Sequence, residues 1–203
     1  MIEFFFDCSS PWTYFAFRNI QPMAAELDVE IRWRPVLVGG IFNSVNQNVY
    51  AAREDMNSPR NRYLLKDVQD HARATGLTIV FPPKVFPVNS VKAMRACLWI
   101  AQDEAANAHY LDFIEAAFAA YFTREEDISK DEVLAAMATS VGIDAETLIA
   151  GMARPDIKEQ LKTNTDEAIR RGAFGAPTFF IGDEMFFGND RLPMVKAAVL
   201  RGS

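Results

Sequence analysis

The first 35 residues carry three different patterns of apolar and polar positions. The run "MIEFFF" places Ile2, Phe4 and Phe6 on one face of a strand and Phe5 on the other, which predicts a short inner strand buried on both sides of a sheet. After Pro11, apolar residues return at three- and four-residue steps, as in a helix that packs against a sheet. In "VEIRWRP", apolar and polar residues alternate, which predicts a half-exposed strand. The chain therefore opens with strand, helix and strand.

Helical periodicity dominates between about residues 45 and 160, where strand signals fade apart from the ambiguous stretch "LTIVFPP". Two helix starts in this segment carry clear local signals. Ser129 with Glu132 fits a capping box, and Asp144 fits an N-cap. The segment is therefore predicted to be an all-helical insertion.

The last 45 or so residues return to a mixed pattern. A helix from about Asp156 stops at Gly172, two apolar strands flank a Gly182-Asp183 turn, and a last helix follows in "DRLPMVKAAVL". The whole order is that of an α/β protein with a thioredoxin-like fold interrupted by helices. We predict a thioredoxin-like domain formed by residues 1–44 and 161–203, and a helical insertion domain formed by residues 45–160.

Composition and charge argue against several classes of function. The 203 residues have a net charge of −6 and no cluster of Lys and Arg, which argues against nucleic acid as a partner. The opening "MIEFFFD" has no basic region and only a brief apolar run, so we expect no secretory signal, no membrane partner and a cytoplasmic location. Cys8 and Cys97 do not form C-x-x-C, and with two isolated histidines they give no zinc spacing, so no metal is expected.

The turn before the first helix is the predicted reactive position. In a thioredoxin-like fold, the free N–H groups at the amino end of this helix stabilise an anion, above all a thiolate. Ser10 occupies that place, and the tetrapeptide Ser10-Pro11-Trp12-Thr13 contains no cysteine, which excludes thiol–disulfide exchange through this motif. A serine hydroxyl can still donate a hydrogen bond to a sulfur from another molecule, and glutathione is the expected donor. Ser10 before Pro11 is also a good N-cap, and the two roles are compatible.

Two later motifs are suited to holding a peptide thiol. In "GAPTFF", Pro177 is a candidate cis-proline in a loop that would face the active turn, with Ala176 offering backbone groups, although an ordinary trans turn is the alternative. In "FGNDRL", Asn189 and Asp190 stand at the start of the last helix. There they would bind the carboxylate and ammonium of a γ-glutamyl group, or cap the helix and nothing more.

Four stretches together resemble a known family: "FFFDCSSPWTYFA", "RPVLVGGIF", "FPVNSVKAMR" and "EAIRRGAFGAPTFFIGDEMFFGNDRL". In this order, over nearly the whole chain, they are similar to the 2-hydroxychromene-2-carboxylate isomerases, which resemble the kappa-class glutathione transferases and, more distantly, DsbA-like oxidoreductases. The resemblance implies that Ser10 activates the thiol of glutathione, and that the loop of Ala176 and Pro177, with Asn189 and Asp190, binds the tripeptide. It also implies a glutathione-carboxylate contact at Arg60, before the tyrosine of "PRNRYL".

The same resemblance implies a reaction and a substrate. The thiolate would add to 2-hydroxychromene-2-carboxylate or a related aromatic keto acid, the ring would open, a single bond would rotate and the thiolate would leave, as a step in aromatic compound catabolism. The small aromatic carboxylate would contact Trp12, Phe42, Asn46 and Asn89, although the aromatic side chains fit a core equally well. After "GGIF" the family commonly has a lysine and later a Gly-Asn pair, whereas this chain reads "NSVNQ", which leaves the substrate open. The likeness to the kappa class implies a homodimer.

Other functions stay open on the sequence. A kappa-like transferase would leave glutathione attached to an electrophile. A non-catalytic thioredoxin-like module would bind a partner through its helical insertion. A residual redox function would need Cys8 and a partner thiol, whereas Cys8 is simply explained as a residue that packs near the end of the first strand.

Overall fold

The computed structural model describes residues 1–53, 55 and 57–202, and within these residues the strands form one four-stranded mixed sheet in the order β2-β1-β3-β4. Strands β1 and β2 are parallel, with Phe4 opposite Trp33, and the other two pairings are antiparallel. The strand bounds are β1 Ile2–Phe6, β2 Ile31–Pro35, β3 Thr178–Ile181 and β4 Glu184–Phe187. The parallel pairing is a consequence of the helix that connects β1 to β2.

Helices pack on both faces of the sheet and fill the middle of the chain. Their bounds are α1 Pro11–Glu26, α2 Val38–Val45, α3 Asn48–Arg53, α4 Pro59–Thr75, α5 Val91–Ile100, α6 Tyr110–Phe122, α7 Asp131–Ser140, α8 Ala145–Met152, α9 Pro155–Arg170 and α10 Leu192–Arg201, with short 3-10 helices at Asn107–His109 and Asn189–Arg191. Within the described ranges, no helix has both the length and the apolar character needed to cross a membrane.

Strand β1 is the centre of the core and is buried on both faces, as predicted. Phe4 stacks on Phe179 of β3 with ring centroids 4.7 Å apart, on the face covered by α1 and by helices of the middle segment. Phe5 points to the opposite face, where it meets Phe180 and the residues of α2 and α9. Because β1 lies between two strands and two helical layers, its aromatic run has no solvent-facing position.

The helical segment shares one core with the sheet. Tyr14 of α1 stacks on Phe118 of α6 with centroids 4.6 Å apart, and Phe17 contacts both Phe118 and Trp33 of β2. The predicted bounds of the insertion fall inside helices, one in α2 and the other in α9. The division of the chain into two domains stays a prediction.

One predicted helix start is confirmed and one is wrong. The carboxylate of Asp144 accepts a hydrogen bond from the backbone N–H of Thr147 at 2.8 Å and caps α8. The capping box at Ser129 does not form, because α7 begins only after Lys130, and Ser129 bonds instead to the carboxylate of Asp127. A local turn thus takes the polar groups that would have capped the helix. The ambiguous stretch "LTIVFPP" forms no strand.

Candidate functional site

Ser10 lies between the end of β1 and the start of α1 and bonds in two directions. Its Oγ accepts a hydrogen bond from the backbone N–H of Thr13 at 3.3 Å and donates one to the carbonyl oxygen of Ala176 at 3.2 Å. The first bond caps α1, as predicted, and the second crosses a cleft to a loop 166 residues away. Ser10 is therefore both a helix cap and a hydroxyl at the edge of the cleft.

The loop opposite Ser10 contains the predicted cis-proline. The peptide bond between Ala176 and Pro177 is cis. The loop is held by Thr178, whose Oγ1 donates to the carbonyl of Gly175 at 2.8 Å, and by Gly188, whose N–H donates to the carbonyl of Pro177 at 3.0 Å. These bonds anchor the loop to β3 and β4, so that its backbone faces the turn at Ser10.

A cavity of about 780 Å³ opens beside this turn and has the size of a small-molecule site. Its walls are mainly apolar and aromatic, and among the described residues that line it, Arg60 and Asp67 are the charged ones. Seven of the predicted site residues are in its walls: Ser10, Trp12, Phe42, Asn46, Arg60, Asn89 and Ala176. The sequence reasoning missed several further lining residues: Tyr50, Asn61, Tyr63, Phe81, Tyr121, Phe174 and Phe187.

One wall of the cavity is aromatic and is tied to the cis-proline loop. Phe174 and Phe187 lie with ring centroids 4.4 Å apart, and Phe42 meets Tyr50 edge to face at 6.4 Å. Asn46, at the end of α2, donates from its amide nitrogen to the carbonyl of Phe174 at 3.0 Å. This bond holds α2 against the loop and leaves an apolar surface on which a flat ring can pack.

A second part of the wall is formed by the start of α5 and by the segment before it. Phe81 and Phe86 meet edge to face at 5.3 Å. The side-chain oxygen of Asn89 accepts from the N–H of Val91 at 3.0 Å, so this amide sits at the helix start beside the cavity. Arg60, near the start of α4, is exposed at the mouth.

Asn189 and Asp190 are not in the cavity wall. The side-chain oxygen of Asn189 accepts from the amide of Asn19 at 3.0 Å, and its nitrogen lies 3.3 Å from Nδ1 of His71. The carboxylate of Asp190 pairs with Arg191 at 3.0 Å. The structure therefore brings together Ser10 and Ala176, with Pro177 beside them, but turns the side chain of Asn189 toward other helices.

His71 is a residue of this region that the sequence did not single out. Its ring stacks on Phe15 with centroids 5.3 Å apart and meets Trp12 edge to face at 5.5 Å. Since the oxygen of Asn189 is already used as an acceptor, its N–H2 group donates to Nδ1 of His71. His71 thus connects the first turn of α1 with the turn before α10. No local pattern reveals this, because the partners of His71 come from two segments that are distant from it in the chain.

Asp7 was also missed, although it follows the buried strand directly. It is fully buried, and its Oδ1 accepts from the N–H of Ser9 at 2.9 Å while Oδ2 accepts from the N–H of Val38 at 2.8 Å and from Oγ of Ser90 at 2.9 Å. Burial raises the pKa of this carboxyl above its usual value, and the hydrogen bonds oppose that effect only in part. A carboxylate placed immediately after "FFF" was the available signal, because such a group needs partners.

The two cysteines are buried and form no disulfide. Burial raises the pKa of the Cys8 thiol well above its usual range, and the neighbouring Cys97 thiol adds to this effect. A thiol of this kind stays protonated near neutral pH and is a poor nucleophile. The geometry therefore argues against redox chemistry at Cys8.

Comparison with known proteins extends these observations. A family model described as a DSBA-like thioredoxin domain matches residues 1–200. A 2-hydroxychromene-2-carboxylate isomerase of Pseudomonas putida is 28% identical over 201 residues, which cover 99% of this chain and 95% of that protein. The glutathione S-transferase kappa 1 of Homo sapiens is 26% identical over 215 residues, which cover 96% and 88%.

A solved structure of a 2-hydroxychromene-2-carboxylate isomerase matches the fold with a TM-score of 0.77 at 26% identity, over 98% of this chain and 94% of that one. The predicted thioredoxin-like fold with inserted helices is confirmed, as is the resemblance to these isomerases and to the kappa-class transferases.

Proposed function

Because this chain belongs to the family of DSBA-like thioredoxin domains, we propose that it is a glutathione-dependent isomerase of 2-hydroxychromene-2-carboxylate or a related aromatic keto acid. The observation that carries the proposal is the position of Ser10, whose hydroxyl caps α1 and crosses the cleft to the backbone of Ala176. The relatives named isomerase and kappa transferase, at 28% and 26% identity, support this class of enzyme.

The residues around Ser10 fit a bound glutathione. The turn has no exposed cysteine, so a reactive sulfur there must come from a ligand, and glutathione would supply a thiolate that adds reversibly to a conjugated carbon. Ser10 would turn its one hydroxyl proton from the carbonyl of Ala176 to the sulfur. Together with the amino end of α1, it would then lower the pKa of that thiol by stabilising its anion. Ala176, next to Pro177, would offer backbone groups to the cysteinyl part of the tripeptide.

Three further residues would hold the ends of the tripeptide. Arg60, exposed at the mouth of the cavity, would pair with a carboxylate. Asn189 and Asp190 would contact the γ-glutamyl group, and Asn189 would have to exchange its present bonds to Asn19 and His71 for that contact.

The aromatic walls fit the second ligand. Trp12 and Phe42 both line the cavity and would pack on a fused ring. The amides of Asn46 and Asn89 would donate to the oxygens of a small aromatic carboxylate. An apolar pocket with few polar groups binds such a ligand by burying its rings and orients it by those groups.

The test is a spectral assay with the purified protein. We expect 2-hydroxychromene-2-carboxylate to show an absorbance change with enzyme and glutathione together, and much less with either alone, while mass spectrometry recovers glutathione unmodified. No change with both present would show that the named substrate is wrong.

A kappa-like transferase is the second candidate, favoured by the match to the human kappa enzyme over 96% of this chain. A glutathione conjugate of a model aryl halide, with no isomerisation, would establish it. Failure to bind millimolar glutathione in calorimetry would contradict both enzymes and leave a non-catalytic binding module.

We also propose that the enzyme is a cytoplasmic homodimer. In size-exclusion chromatography the dimer should elute at twice the 22.8 kDa mass of the chain. Elution as a monomer would contradict this.

A further inference from the structure

We propose that Asp7 is a positioning residue for the reaction. Its buried carboxylate bonds to three segments that line the cavity, and these bonds fix the position of Ser10 relative to the substrate. The inference rests on the proposed function and adds a residue to it. Asp7 is itself fully buried and does not line the cavity, so it acts through its partners and not by touching a ligand.

Each side-chain partner of Asp7 belongs to a different wall. Ser9 lies in the turn before α1, Val38 is the first residue of α2, and Ser90 directly precedes α5. The last two are 31 and 83 residues away from Asp7, and all three partners line the cavity. The carbonyl of Asp7 also accepts from the N–H of Ser10 at 3.2 Å. One residue thus fixes the active turn against two helix starts.

The chemistry of the contacts requires a carboxylate. Two backbone N–H groups donate to two different oxygens, and an amide would have only one oxygen to offer. In Asp7→Asn, either Ser9 or Val38 would face an N–H2 group, and a buried donor without an acceptor is costly. The buried carboxylate of Asp7 needs hydrogen-bond donors, and Ser90 is one of them. Its hydroxyl donates to Asp7 and does not cap α5.

Within the described part of the chain, the influences on the ionisation of Asp7 are its burial and the hydrogen bonds from Ser9, Val38 and Ser90. Cys8 follows it in the chain and lies beside Cys97 of α5, while the charged residues of the cavity, Arg60 and Asp67, belong to α4. Burial, the largest influence, makes the carboxyl hold its proton to higher pH than an ordinary aspartate. Protonation turns one oxygen into a donor and weakens the hold on Ser9 or Val38, so the positioning should be lost in acid.

The experiment compares Asp7→Asn, Ser90→Ala and the wild type on whichever substrate the wild type turns over. At pH 7, Asp7→Asn should lower kcat/KM about 10- to 100-fold, because a small displacement of a reacting group is that costly, while the affinity for glutathione changes much less. Ser90→Ala should have a smaller effect and move the acid limb of the kcat/KM profile to higher pH, since it removes a bond that stabilises the carboxylate. In Asp7→Asn this limb should be absent.

Asp144→Ala is the matched control. It removes a carboxylate that accepts from a backbone N–H outside the cavity, so it should lower stability while kcat/KM and the acid limb stay as in the wild type. If Asp7→Asn keeps the kcat/KM and the acid limb of the wild type, the inference about Asp7 is wrong, while the proposed function still stands. If Asp7→Asn does not fold, an unmoved acid limb in Ser90→Ala would overturn it. A wild type without glutathione-dependent turnover would overturn the proposed function first, and this inference with it.

Discussion

Two helix starts border the candidate site, and the structure builds them differently. At α1, the side chain of Ser10 caps the helix and reaches across the cleft to Ala176. Before α10, the side chain of Asn189 is turned away from the cavity toward Asn19 and His71. Both turns stand at a helix amino end, a place where backbone N–H groups and the helix dipole generally favour an anion. The comparison shows that the sequence can locate a helix start and its backbone N–H groups. The direction of the polar side chain at that start is set by the helices that pack around it.

The largest expected effect is at Ser10. A hydrogen bond to a charged group is worth about 1.5 to 3 kcal/mol, so Ser10→Ala should raise the pKa of a bound glutathione thiol by roughly one to two units. Catalysis should fall about 10- to 100-fold at pH 7 and recover in part at higher pH. Ultraviolet titration of the bound thiolate and a pH–rate profile measure both effects.

The control separates catalysis from capping. Asp144→Ala removes a cap at α8, and a cap of this kind stabilises a protein by about 1 kcal/mol. If Ser10→Ala loses about the same stability and keeps its pH–rate profile, then Ser10 acts as a cap alone.

The second helix start should affect binding more than chemistry. If Asn189 contacts the γ-glutamyl group, Asn189→Ala should weaken glutathione binding by about tenfold, as expected for one hydrogen bond, without changing the pKa of the bound thiol. Calorimetry measures the affinity. Asn19→Ala, which removes only a neighbour of Asn189, should have a smaller effect, and equal losses in both would mean that Asn189 merely packs.

A smaller effect is expected in how the free energy of unfolding depends on pH through the carboxyl of Asp7. The folded state raises the pKa of this carboxyl above its unfolded value, so its contribution to stability is full below the ordinary aspartate pKa and is lost as pH rises through the raised value. Other carboxyls titrate alike in the wild type and in Asp7→Asn, so the contribution of Asp7 is the difference between their unfolding free energies. Measured by urea unfolding at several acidic pH values, the stability of the wild type relative to Asp7→Asn should fall as the pH rises. Equal slopes in both proteins would contradict the raised pKa.

The smallest effect is expected in the reactivity of the two cysteine thiols, which, unlike the hydroxyl of Ser10, do not reach the cleft. Cys8 and Cys97 are both fully buried, so the native protein should consume almost none of an aromatic disulfide reagent at pH 8, and two equivalents after unfolding. Rapid modification of one thiol in the native protein would reopen redox chemistry at Cys8.

The sequence by itself determined the elements whose signals are local. The aromatic run of β1, the Ser10-Pro11 start of α1, the turn at Gly182 and the cap at Asp144 each depend on residues a few positions apart, and the structure has all four. Ser129 is the exception that shows the limit, because two local patterns competed there and the turn at Asp127 won.

Only the tertiary structure decided how the site is assembled. The hydrogen bonds from Ser10 to Ala176, from Ser90 to Asp7 and from Asn189 to His71 join residues 166, 83 and 118 positions apart. Nothing in a short window records such a pairing, since a side chain bonds to whatever group the packing of distant elements brings within reach. The residue types of the site could therefore be read from the chain, but the direction of Asn189 and the partners of Asp7 were set by how the helices close on the sheet.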